Sequence, residues 1–347
     1  MTLRTLLLAS ALAAWSGFAA VPALAQGEVN LYSLRQPALL EPLTRAFTQR
    51  TGIKVNVVYT QDGVLERIKA EGANTAADAV LTVDVGRLHE LAEAGVLDPV
   101  TSAILESAVP APYRHPDGLW FALTSHARVI YISKERVKPG AITSYEDLTK
   151  PEWKGRICTR SGKNDYNVAL IAAVIARKGE AGAEQWLTGV KNNLARKPQG
   201  SDRNQAEGIY QGVCDVALMN SYYMGVMATN EQNPEQKKWA AATQIVFPNQ
   251  DSHGAHINVS GGGVIKGAKN RDNAVRLLEF LVSDEAQKIY AEKNMEYPIK
   301  PGAPVDPMVA AWGDFKPDPL SLLEIAKLRA AATRLVDKVG YEQGNGS

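Results

Sequence analysis

Short apolar runs of period two alternate along this chain with stretches of period 3.6, the pattern of strands and amphipathic helices in turn. Val29 to Ser33, Ile53 to Tyr59 and Ala79 to Val83 are predicted strands. Between them Pro37 opens a helix that carries Leu40, Leu43 and Phe47 on one face and stops at Gly52; Gly63 to Glu71 and Arg87 to Ala94 are further helices. A second set follows the long apolar segment Leu119 to Ile132. Ile157 to Thr159, Cys214 to Met219, Thr243 to Phe247 and Gly263 to Ile265 read as strands. Asn167 to Arg177, Ala183 to Asn193, Arg203 to Gln211, Asn273 to Val282, Glu285 to Glu292 and Leu320 to Val339 read as helices. Gly261-Gly262-Gly263 reads as a flexible turn entering a strand. This alternation predicts an α/β fold with parallel strands in two similar-sized lobes, whose ligands sit at the carboxyl ends of strands.

The first 25 residues do not fit that pattern. Arg4, the apolar stretch Leu6 to Phe18 and Ala23-Leu24-Ala25 form a secretory signal with a cleavage site after Ala25, too short and too rich in small residues for a membrane span. Export sets the redox context. Cys158 and Cys214 are the two cysteines of the chain, and in an oxidising compartment the pair is expected as a disulfide, with two buried thiols as the alternative. Of the 347 residues, 38 are Lys or Arg and 37 are Asp or Glu, a balance that gives no sign of a nucleic-acid binder. The signal carries one basic residue and no acidic one, so the exported chain has no net charge. The aromatics are biased: 12 Tyr against 6 Phe and 6 Trp.

No enzyme signature is found. There is no G-x-S-x-G, no H-E-x-x-H and no phosphate loop, and His253-x-x-His256 lies in loop-like surroundings. No nucleophile with an adjacent base can be placed. The tyrosines are more informative. Asn220-Ser221-Tyr222-Tyr223 directly follows the strand CDVALM, and Tyr166 lies between the strand ICT and the next helix. Each cysteine stands eight residues before a tyrosine, so a bridge between two parallel neighbours would bring Tyr166, Tyr222 and Tyr223 to one rim. Phenol oxygens are hard donors suited to a high-valent cation, whose charge drives off the phenolic proton. Packing in a cleft wall is the bland alternative.

The stretches VNLYSLRQP, TGIKVNVV, ADAVLTVDVGRL, ARVIYISKERV, EWKGRICTRSGKNDYNVAL, NLARKPQGSDRNQ, GVCDVALMNSYYMG and EYPI resemble those of periplasmic ferric-ion-binding proteins of the tyrosine-rich branch. The resemblance runs over nearly the whole exported chain. It implies a two-lobed type II periplasmic binding protein fold with a ligand cleft between the lobes. It also implies binding of Fe3+ by Tyr166, Tyr222 and Tyr223, and delivery of the ion from the periplasm to an ABC-transporter permease by a monomer. On this reading residues 26–125 with about 250–300 form the first lobe, and 126–249 with about 301–347 the second. Other cargoes of such lobes are thiamine, polyamines and phosphonates.

The resemblance also implies a synergistic anion such as carbonate, held by an arginine in a T-x-R-A-R-V-I segment. Here that segment reads Thr124-Ser125-His126-Ala127-Arg128-Val129-Ile130, so His126 and Arg128 are the anion candidates. Tyr32 is a further candidate metal ligand and Arg35 a candidate cleft cation, although S-R-H-Y of some relatives is S-L-R-Q-P here.

Overall fold

The computed structural model describes residues 27–344; the signal segment and its cleavage site lie outside the described residues. Ten strands are present: β1 Glu28–Ser33, β2 Lys54–Tyr59, β3 Ala79–Thr82, β4 Leu97–Asp98, β5 Phe121–Ser133, β6 Ile157–Cys158, β7 Val216–Asn220, β8 Thr243–Val246, β9 Ile257–Ile265 and β10 Tyr297–Pro298. Their main path is β2-β1-β3-β9-β5-β7-β6. The helices used below are α1 Pro37–Thr51, α2 Val64–Glu71, α3 Val85–Glu93, α4 Ala103–Ala108, α5 Asp165–Asn192, α6 Asp202–Tyr210 and α7 Tyr223–Ala228. Among the described residues no helix is long and apolar enough to cross a membrane.

The sheet is mixed. β1 runs parallel to β2 and β3, and β6 runs parallel to β7, as the alternation predicts. β5 and β9 are antiparallel to each other, β9 is also antiparallel to β3, and β5 to β7. These two strands return the chain between the lobes, which a pattern of alternating strands and helices does not reveal. β5 is the central element. Phe121 to Ala127 pair with β9, and Arg128 to Ile132 pair with β7.

Gly261-Gly262-Gly263 is not a turn but the middle of β9, paired with β3 on one side. A Cβ on Gly262 would lie 2.4 Å from Leu81 Cδ2 and 2.7 Å from the Val80 oxygen, and one on Gly261 would lie 2.6 Å from the Phe121 oxygen. Glycine is needed there for close backbone packing rather than for flexibility. The expected helices Asn167 to Arg177 and Ala183 to Asn193 both form, within α5 and on either side of a non-helical kink at Gly179 (φ 69°, ψ 170°). The expected terminal helix is divided into Leu322–Lys327 and Arg329–Lys338.

The apolar residues bury in two clusters. One joins β1, β3, β9 and the helices around them, with Leu43 and Phe47 of α1 fully inside and Phe47 tilted against Phe280 at 5.5 Å. Each such side chain contributes about 1.5–3 kcal/mol. The smaller cluster holds Ala127, Val129 and Tyr131 of β5 with Met219, Tyr222 and Tyr223. The Cys158–Cys214 disulfide joins the start of this cluster and closes a loop of 56 residues in sequence. That constraint on the unfolded chain is about 4 kcal/mol in the entropic account.

His256 lies where the chain re-enters the first lobe. It is 2% exposed, and neither ring nitrogen has a hydrogen-bond partner. Burial pushes its pKa down to about 3. The folded value is below the unfolded one, so the unfolded chain alone takes up a proton as pH falls below about 6.5, and stability is lost until the folded value is reached. Between pH 6.5 and 4.5 this single group should cost the protein about 2 kcal/mol. Denaturant unfolding of wild type and His256→Asn at the two pH values measures it: the variant should lose about 2 kcal/mol less, and equal losses would show that His256 is not held neutral.

Candidate metal centre

Two loops at the carboxyl ends of β6 and β7 carry the tyrosines, and each is fixed by its own backbone. In the first, Asn164 caps α5 by accepting from the Tyr166 amide (3.2 Å). The side-chain Nδ2 of Asn167 donates to Thr159 Oγ1, the Arg160 oxygen and the Ser161 oxygen at 3.0–3.1 Å, closing the loop beneath Tyr166. From the carboxyl-terminal segment, Glu342 accepts from the Gly162 amide (2.7 Å) and from Ser161 Oγ (3.0 Å). In the second loop, Ser221 pairs with Ala127 through both its amide (2.9 Å) and its hydroxyl (3.2 Å), so the strand ends and α7 starts at once. Tyr222 and Tyr223 therefore leave the alternation of β7 and turn to one side.

The three phenols meet. Tyr222 Oη lies 3.3 Å from Tyr166 Oη, and the rings of Tyr222 and Tyr223 are 4.4 Å apart. Tyr222 and Tyr223 are buried and Tyr166 is half-buried. Burial first, and then the proximity of the other phenols, push all three pKa values well above the ordinary value. In the absence of a cation the cluster is neutral, and only a nearby positive charge can draw off its protons.

The tyrosines form one wall of a cleft of about 500 Å³. The cleft is also lined by Arg35, Tyr59, Asp62 and Glu296. Among the described residues no group of three His, Cys, Asp or Glu side chains is placed to hold a metal; the cleft carboxylates Asp62, Asp165 and Glu296 are each paired with arginine, and the phenol oxygens are the donors that meet. A hard cation of high charge is the ligand they fit.

The sequence agrees with this architecture. Residues 32–288 match the model of the bacterial extracellular solute-binding proteins. The chain belongs to that family. This binding protein is 45% identical to Iron uptake protein A1 of Synechocystis sp. over 91% of its own length and 88% of the relative's. Apo ferric ion-binding protein A of Pasteurella haemolytica superposes with a TM-score of 0.87 at 47% identity, over 91% of this chain and 98% of that one. A Trichodesmium protein solved with iron and citrate ligands gives 0.85 at 43% identity, over 91% and 100%.

Of the remaining candidates, Arg35 lines the cleft, and Arg128, His126 and Tyr32 do not. Arg128 of the binding protein is 1% exposed and lies behind the tyrosines. It donates to Asp202 (2.6 Å), Asn220 Oδ1 (2.9 Å), Asn167 Oδ1 (2.7 Å) and the Leu218 oxygen (3.1 Å), which leaves neither terminal nitrogen for an anion in the cleft. Burial opposes ionisation of Asp202, but Arg128 and Arg160 still hold its carboxyl below the usual range. His126 is also 1% exposed, edge-on to Tyr222 (5.3 Å) and Tyr166 (5.8 Å), and 3.9 Å from the Glu296 carboxylate. Burial pushes its pKa down to about 4, which makes it a neutral support under the rings. Tyr32 points away from the cleft, where its hydroxyl donates to Glu71 (2.9 Å) and its ring lies under Arg67. Arg35 does line the cleft, in an ion pair with Glu296 (2.9 Å).

Two cleft residues escaped the reading of the sequence. Arg160 lies over the Tyr166 ring at 5.5 Å and Arg203 over the Tyr223 ring at 5.2 Å, both with Nε buried and unpartnered. Their stretches, ICTRSGK and GSDRNQ, were visible, but which arginine faces the ligand depends on the loop geometry.

Arg128 as a structural residue has a measurable consequence. Arg128→Met leaves buried Asp202 with only the longer contact to Arg160 (3.3 Å) and should cost the metal-free protein roughly 3 kcal/mol in denaturant unfolding. A residue serving only to hold an anion would leave that stability unchanged.

Proposed function

We propose that this protein captures Fe3+ in the periplasm with the phenolates of Tyr166, Tyr222 and Tyr223 and hands it to an ABC-type importer in the inner membrane. The observation that carries this reading is the meeting of three phenols on one cleft wall, with two oxygens 3.3 Å apart. Three phenolates match the three charges of the ion, and oxygen donors match its hardness. The family membership supports transport rather than catalysis. Residues 26–125 with about 250–300 make up the first lobe and 126–249 with about 301–347 the second, turning about β5 and β9. The protein acts as a monomer after cleavage at Ala25.

An oxygen anion such as carbonate or a carboxylate completes the coordination. Its counter-charges are the cleft arginines, Arg160 and Arg203 beside the tyrosines and Arg35 across from them, rather than Arg128. A guanidinium fork suits such an anion.

Titration with ferric citrate should produce a visible phenolate-to-iron charge-transfer band. The double variant Tyr222→Phe, Tyr223→Phe should lose the band and bind more than about 100-fold more weakly, beyond the 10–100-fold that outer-shell changes cost. Full colour and affinity in that variant would end the assignment.

The raised phenol pKa values also fix a sign. Each phenol is protonated before the ion arrives, so binding releases protons and affinity falls as pH falls. Competition against a chelator of known pH dependence, between pH 8 and 6, should show log affinity dropping with pH by up to about three per unit. A flat profile would mean that phenolates are not the ligands.

A further inference from the structure

The tyrosine loop of the second lobe is also gripped from the first. Asp165, the first residue of α5 and the neighbour of Tyr166, lines the cleft. Its carboxylate accepts from Arg87 Nε at 3.2 Å and from an Arg329 terminal nitrogen. Arg87 belongs to α3, which follows β3 in the first lobe, so this ion pair crosses the cleft. Arg329 stands at the joint between two helices, one packed on α3 and the other on α5. Both arginines are anchored on the first-lobe side. Arg87 reaches Asp62 at 2.9 Å, and Arg329 reaches Glu90 at 2.7 Å and Asp84 at 3.4 Å.

Two cations thus sit among four carboxylates, and Asp165 is the only one of the four that belongs to the second lobe. The side chains of Arg87, Arg329 and Asp165 are 21, 15 and 15% exposed, so water screens the contact less than at an open surface pair. The cluster also touches β9, where Asn258 donates to Asp84 at 2.6 Å.

We propose that Arg87 and Arg329 are positioning residues for the metal centre. Arg87 from across the cleft and Arg329 from the helix packed on α5 clamp Asp165, and so hold the first turn of α5, and Tyr166 with it, against Tyr222 and Tyr223 while the lobes are together. Iron leaves when that clamp breaks. The proposal rests on the ferric reading above and names a control on release within the same site.

The test is the rate of iron loss to excess EDTA, followed at the ferric phenolate band, for wild type, Arg87→Gln, Asp165→Asn and the double variant. Each single variant should lose iron about tenfold faster, and the double variant no faster than Asp165→Asn alone, because removing the Asp165 charge already ends the Arg87 contact. The band of Arg87→Gln should keep its wavelength, since no ligand is changed. Arg329→Gln should also speed loss. Off-rates within about twofold of wild type, or single effects that multiply in the double variant, would overturn the clamp. If Arg87→Gln does not fold, wild type and Asp165→Asn are compared at about 0.05 and 0.5 M salt. The clamp requires salt to speed loss more in wild type, and equal salt effects overturn it. A wild type without a ferric band fails the proposed function; a normal band with multiplicative variants fails the clamp alone.

Discussion

The buried pair of Arg128 and Asp202 is the interaction on which the rest of the site depends. Arg128 sits at the residue where β5 changes from the first half of the sheet to the second. Its donors reach α6 through Asp202, β7 through Asn220 and the Leu218 oxygen, and α5 through Asn167. Asp202 also accepts from the Asn220 amide at 2.9 Å, tying α6 to the strand end that precedes the tyrosine pair. One guanidinium therefore fixes three elements that carry Tyr166, Tyr222, Tyr223 and Arg203. Burial of two charges is costly, and it is tolerated here because four of the fork's contacts are satisfied at once. The specificity of this arrangement is geometric: no apolar pair of equal volume would set the relative positions of two loops 56 residues apart.

With the framework charged and the phenols neutral, the field at the site is unusual for a cation trap. The exported chain has no net charge, and Arg160 and Arg203 stand over two of the tyrosine rings. A weakly charged cation gains little there, because it must displace protons from phenols whose pKa burial has raised. A trivalent ion can meet that cost, and each phenolate it creates then faces a nearby guanidinium. Selectivity for high charge follows from the expense of ionising the ligands, while the arginines limit how negative the loaded site becomes.

This much was legible in the chain. Strand ends followed by Tyr166 and by Tyr222-Tyr223 mark a rim because parallel α/β strands present ligands at their carboxyl ends, and β6 and β7 are parallel neighbours bridged by the expected cysteines. Arg128 was visible as a residue but not as a framework. β5 is buried along both faces, so the alternation that tells inside from outside in a half-buried strand has no contrast to offer. Tyr32 follows the same logic in reverse: the position near the end of β1 was right, but its side chain turns toward α2 and finds Glu71. Gly261 to Gly263 were misread because close packing and flexibility leave the same residue in a sequence; only the distances to Leu81 and Phe121 separate them. The antiparallel return strands β5 and β9 could not be told from parallel ones, since direction depends on long-range pairing.

The division of labour between the lobes follows from these placements. All three phenols follow β6 and β7, the parallel neighbours joined by the disulfide, so one stretch of the sheet carries the whole phenol wall. The first-lobe wall instead offers paired groups. Arg35 is held by Glu296, which also accepts from Thr124 (2.8 Å) and Ser260 (3.3 Å), and Asp62 is held by Arg87. Groups already satisfied make poor competitors for the ion but good fixed walls, which shape the space left for an anion or water. Binding strength and lobe closure are then set by different residues. On the proposed function, substitutions at Arg87 or Asp62 alter how long the ion stays without changing which ion is chosen, because the proposed ligands are the phenols of Tyr166, Tyr222 and Tyr223.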